Sequence, residues 1–241
     1  MFSRNLKQKK AQLLQKIDFE LNSGSLTKSS KALNEFISLF PNSPTPYVLL
    51  ADAYNKEKNY YDAFQSFKRA EELLETNLSP KSTRTDLEIL IGIRNSLTGC
   101  ALRHYTRNQK TKADASLVEQ LVKEGYDDSF LFFVLGKEAY LKKDFSNAKT
   151  FLDKALKRGN LCVDDLITDA YFLRGMSCIN LELITQGESD LKYVAEHNKD
   201  KGFCVETYLA EFYENRGEYG KSIEHGFNAS LIKDNLNNPQ E

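Results

Sequence analysis

Tryptophan is absent from the chain, methionine occurs twice and proline five times in 241 residues. So few prolines leave little to interrupt long helices. Strand-type alternation of apolar and polar residues is nearly absent, which weighs against a sheet. The four cysteines, Cys100, Cys162, Cys178 and Cys204, include no CxxC pair. A zinc ribbon or a disulfide framework is therefore not indicated, and free thiols in a reducing compartment are expected. Neither sign of charge is in excess: 33 Lys and Arg face 34 Asp and Glu. A dedicated binder of nucleic acid or of anionic membrane would usually be strongly basic. The longest apolar run, Phe130 to Leu135, is too short to span a bilayer. The first residues, MFSRNLKQKKAQ, lack the apolar core of a signal peptide. A cytoplasmic location is the expectation, with no membrane and no nucleic acid as partner.

What is present is helical periodicity. Apolar residues recur every three or four positions almost throughout, so an all-α chain is expected. Leu6, Leu13, Leu14, Ile17 and Leu21 share one side of a first helix over residues 4–22. Thr27 or Ser29 offers a cap for a second helix, which Pro41 ends. The charge is spread unevenly along this pattern. Residues 1–16 carry five bases and no acid, whereas residues 196–241 carry nine acids and five bases. Solvated helix faces account for both.

The stretch from Pro44 to Asn77 is the most regular. Tyr47, Leu50, Ala51 and Tyr54 recur at helical spacing, and after a polar break come Ala63, Phe67 and Ala70. This order of large, small and aromatic residues resembles a tetratricopeptide repeat, a helix–turn–helix unit of 34 residues. Such a unit cannot bury its apolar face alone, so neighbours of the same kind are implied. Further repeats are read at 10–43, 94–127, 129–162, 168–201 and 203–236, with an insertion at 78–93 and a disordered tail at 237–241. One position supports this register. An apolar anchor stands three residues before the first small residue of the second helix: Leu26, Tyr60, Phe145, Ile184 and Tyr219. The third repeat has Lys110 there and departs from the rule.

The resemblance covers about residues 10–236. It implies one domain over residues 1–236, a right-handed superhelical solenoid of about six helix pairs. Family members usually hold an extended or helical peptide on the concave face, which the first helices of the pairs line. Carried onto this register, the inward positions include Tyr105, Phe133, Lys137, Tyr140, Phe172, Met176, Tyr208 and Glu211. Aromatic side chains in a preformed groove are typical peptide anchors. One subset of the family clamps the acidic C-terminus of Hsp70 or Hsp90 with Lys, Asn and Arg. The matching slots here hold Val48, Asp52, Phe133 and Lys137, so only Lys137 fits and no carboxylate clamp is expected.

Signatures of catalysis are weak. Gly217 to Ser222 looks like the end of a phosphate-binding loop, but Asn215 replaces its outer glycine and a helix precedes it. His104, His197 and His225 lie far apart, without zinc-ligand spacing to a cysteine. Asp127-Asp128 and Asp164-Asp165 precede helices, where acids stabilise the amino end. The expectation is a non-enzymatic scaffold or adaptor that needs no cofactor or metal and binds a segment of another protein in its groove. An alternative is a self-associating assembly module, in which Ile223, Phe227 and Leu231 of the last repeat meet a second copy or a larger partner. A nucleic-acid-associated repeat protein is a third reading. It rests on the basic N-terminus and on Arg94, Arg103, Arg107, Lys110 and Lys112.

Overall fold

A computed structural model describes residues 2–23, 26–79, 82–108, 114–157, 161 and 164–237. These form twelve α-helices and no strand among the described residues. The helices are α1 Phe2–Asn22, α2 Leu26–Leu39, α3 Thr45–Lys56, α4 Tyr60–Asn77, α5 Arg84–Asn108 and α6 Ser116–Lys123. There follow α7 Ser129–Leu141, α8 Phe145–Lys157, α9 Asp164–Asn180, α10 Ile184–His197, α11 Lys199–Asn215 and α12 Tyr219–Asn237. The chain is all-α. It packs as two compact units, Met1–Val118 and Glu119–Glu241.

In the first unit each helix packs on the next from α1 to α5, and α1 also packs on α3. In the second unit each helix packs on the next from α7 to α12, and α7 also reaches α9. Contacts between nearest neighbours in a stack are what a repeated helix pair produces. The core of the first unit is built on Ile17, Phe36, Phe64, Phe67 and Leu97, and that of the second on Leu131, Leu152, Leu191 and Tyr213, all fully buried. Burying one such aliphatic side chain is worth about 1.5–3 kcal/mol.

The turns show why the sequence anchor works. Tyr60, Phe145, Ile184 and Tyr219 are each the first residue of a second helix. Two residues before each lies a residue in the left-handed conformation: Lys58, Lys143, Glu182 and Gly217. The amides around it close the preceding helix in the same way each time. Asn59, Asp144, Leu183 and Glu218 donate to the carbonyls of Tyr54, Ala139, Cys178 and Tyr213 at 2.9 Å. This six-to-one bond is the Schellman closure. The first residue of the next helix then follows directly, capped in α4 by Asn59, whose side chain accepts from the Asp62 amide.

Several expectations change. α2 begins at Leu26, so Ser29 is a buried residue inside it rather than its cap. Residues 84–93 belong to α5, which runs unbroken for 25 residues. Thr83 and Asp86 fix its start, for each side chain is bonded to the other's amide. Pro80, Lys110, Lys112, Ala113, Arg158–Asn160, Cys162 and residues 238–241 of the tail lie outside the described residues. Asn237 is helical.

Candidate functional site

The apolar run of α7 places Phe133, Lys137 and Tyr140 on one helix face. Asp128 starts that helix, accepting from the amides of Phe130 and Leu131. On α9, Asp169, Phe172, Leu173 and Met176 fall at helical spacing, as do Lys201, Cys204, Tyr208 and Glu211 on α11. These three first helices enclose an open cavity of about 320 Å³. Phe133, Phe172 and Leu173 give it an apolar floor; Lys137, Asp169, Lys201 and Cys204 complete its lining. Lys201 Nζ lies 2.5 Å from Asp169 Oδ1, which ties α11 to α9 at the rim.

The cavity therefore brings together three of the residues read from sequence: Phe133, Lys137 and Phe172. Phe133 is only 8% exposed and belongs to a core cluster with Phe132, Leu152 and Ala155. The expectation of Phe133 as an open groove anchor is corrected in degree, because α8 and α9 both pack on α7. Tyr105 is corrected further. It is 3% exposed, in the first unit, and its ring offers no surface to a ligand.

Tyr140, Met176, Tyr208 and Glu211 lie outside this cavity lining. Tyr140 is half-buried, with the Phe145 ring edge-on at 5.9 Å. Tyr208 stacks on Phe212 at 6.4 Å. Burial pushes the Tyr208 hydroxyl above its ordinary range, and the nearby Tyr140 adds to the shift. Met176 joins the apolar layer over Ile179, Leu191 and Val205, and Glu211 is exposed. The residues missed from sequence are Asp169, Leu173, Lys201 and Cys204. Their signal was the helix spacing itself: Asp169 is one turn before Phe172, and Cys204 is one turn before Tyr208.

Arg174 of α9 donates to Asp190 at 2.7 and 2.6 Å and to Asp153 at 3.0 Å, joining α8, α9 and α10. Burial pushes the Cys178 thiol up to about 11, and the Cys100 thiol moves the same way for the same cause. Both are poor nucleophiles at neutral pH. Gly217 belongs to the α11–α12 turn and Ser222 to α12, so the glycine-lysine-serine sequence makes no phosphate loop. Among the described residues no three His, Cys, Asp or Glu side chains are grouped to hold a metal, and no helix is long and apolar enough to cross a membrane.

The last helix presents a second feature. Its inner side is held by Tyr213, which bonds Glu188 and lies against Lys221, and by His225, which is 2.8 Å from Glu206. On its outer side Ile223, Phe227 and Leu231 are 72%, 63% and 46% exposed, and Tyr219 extends the stripe by a turn.

Residues 44–76, the pair α3–α4, match the family model described as the tetratricopeptide repeat. Solved structures similar to the chain include MamA from AMB-1, 17% identical with a TM-score of 0.48, over 79% of this chain and 92% of that one. A chain of the APC/C hetero-tetramer Cut9–Hcn1 is 14% identical with a TM-score of 0.45, over 91% of this chain and 45% of that one. BtubC from P. vanneervenii is 16% identical with a TM-score of 0.43, over 98% and 95%. No curated protein sequence matches the chain significantly. Repeats of the tetratricopeptide family are generally protein–protein interaction modules.

Proposed function

We propose that the chain is a non-catalytic interaction module whose second unit holds a segment of a partner protein against α7, α9 and α11. The observation that carries this reading is the open cavity floored by Phe133, Phe172 and Leu173. An apolar side chain of the partner would seat on that floor, since aromatic surface in a concave site supplies most of the affinity of such contacts. Lys137 stands at the rim while Lys201 is already engaged by Asp169. Lys137 would therefore meet a carboxylate beside the anchoring side chain. The pairing sets orientation more than affinity. The test is photo-crosslinking from benzoylphenylalanine at position 172. A crosslinked protein from position 172 supports the reading; crosslinks only from position 227 would move the site to α12.

The exposed stripe of α12 favours a second reading, in which Ile223, Phe227 and Leu231 contact a second copy or a larger partner. Contiguous exposed apolar residues on a helix mark contact surfaces. Light scattering that finds a monomer at high concentration would remove the self-association form of this reading.

A further inference from the structure

The first unit carries a separate site of different chemistry, where the α3–α4 turn meets the C-terminal part of α5. Two adjoining cavities of about 560 and 520 Å³ open there and share Lys58, Tyr60 and Arg107. Arg103 and Thr106 complete one lining, and Glu57, Asn59, Tyr61 and His104 the other. Arg103 and Arg107 sit one turn apart on α5 and are both exposed. Like charges at that spacing repel, so the arrangement is unfavourable for an empty helix. Both guanidinium groups are nevertheless held in place. Arg107 Nη1 donates to the Lys58 carbonyl, and Arg103 lies over the Tyr60 ring, 5.6 Å from its centroid. Lys58 itself projects from the left-handed position of the turn. Glu57 is the one carboxylate among the lining residues, against Lys58, Arg103 and Arg107. Asp114 is taken up by His104 at 3.4 Å and by the Ser116 amide. Asp18 and Asp52 line a further cavity with Lys56, Tyr60 and Arg103, so Arg103 borders those acids as well, while Arg107 and Lys58 do not line that cavity.

We propose that this pocket binds a phosphate-type dianion, with Arg103, Arg107 and Lys58 as its donors. Guanidinium groups fit the geometry of phosphate oxygens, and two forks with one ammonium leave a doubly charged oxyanion as the matching ligand. The exposed Tyr61 ring beside the cations suits a phosphate carried on an organic group. Such a group could come from a phosphorylated side chain of a protein or from a free phosphorylated compound, and the chemistry is shared. The near-neutral net charge of the chain weighs against a polyanion such as nucleic acid.

The test is titration of the intact protein at low ionic strength with inorganic phosphate, with phenyl phosphate and with a phosphotyrosine peptide. The expected result is saturable binding of each, weakened about tenfold in Arg107→Gln and in Arg103→Gln, the loss that follows one missing charge-assisted hydrogen bond. Lys58→Gln, which keeps the turn's carbonyl, should weaken binding as well, and Lys123→Gln, on α6, should not. A phosphotyrosine peptide that binds tighter than phenyl phosphate supports a phosphorylated protein as the source; equal binding of the two supports a free phosphorylated compound. The proposal is overturned if the wild type shows no saturable binding, or if Lys123→Gln weakens binding as much as the arginine variants do.

Discussion

A Cβ atom placed on Gly187 would lie 3.0 Å from the carbonyl oxygen of Gly175 and 2.8 Å from the Ile179 side chain. The two glycines face each other where α9 crosses α10, and each is buried. Gly175→Ala would drive its methyl to 2.9 Å from Leu191 and 3.1 Å from the Gly187 carbonyl. Either alanine should destabilise the second unit by about 1–3 kcal/mol, the usual cost of overpacking. Gly92→Ala should do the opposite. Nothing lies within 4 Å of that site on α5, so alanine should stabilise by about 0.5–1 kcal/mol through helix propensity. Urea denaturation of the three variants checks the contrast.

The left-handed turn residues give a second prediction. Lys143 adopts φ 61°, where a residue with a Cβ is strained and glycine is not. Lys143→Gly should stabilise the protein by about 1 kcal/mol despite removing a side chain. Gly217, at φ 75° in the equivalent turn, should lose about the same amount on replacement by alanine. Thermal midpoints of the two variants, moving in opposite directions, would establish the shared turn.

Arg174 is the polar link of the second unit. Its side chain is 15% exposed and its partner Asp190 only 5%. Arg174→Met leaves a buried carboxylate without its counter-charge and should cost about 3–5 kcal/mol. Asp153, at 39% exposure, is the lesser partner, and Asp153→Asn should cost under 1 kcal/mol. If the double variant Arg174→Met/Asp190→Asn is no more stable than Arg174→Met alone, the pairing is not the cause.

Thiol chemistry should separate the cysteines by burial. Cys204 is exposed, whereas Cys100 and Cys178 are buried. Peptide-resolved alkylation of the native protein at neutral pH should modify Cys204 and spare the other two. The Cys178 thiol is raised from 9.0 to about 11, so its neutral form is favoured on folding. Its contribution is complete below pH 9 and is lost as pH rises through about 11, because the unfolded chain ionises first. Stability should therefore fall across that window, and less so in Cys178→Ala.

Much of the fold was legible because one local rule repeats. Tyr60, Phe145, Ile184 and Tyr219 all stand at helix starts because the same left-handed turn precedes each of them. The site was less legible. Helical spacing says which residues share a face, but not how deeply the neighbours cover it. Phe133 lies on the predicted face and is nearly buried, since α8 and α9 flank α7. Tyr105 is buried as well. The pairing of Asp169 with Lys201 escaped notice because it joins residues 32 apart, which no local pattern reveals.

The central claim is that the face of α7, α9 and α11 holds a partner segment. The most direct measurement is affinity capture comparing wild type with Phe172→Ala/Lys137→Glu, two half-buried positions chosen to spare the core. The account predicts that a protein captured by the wild type is lost from the double variant and retained by Phe227→Ser on α12. Capture that survives the first change and fails with the second would contradict it.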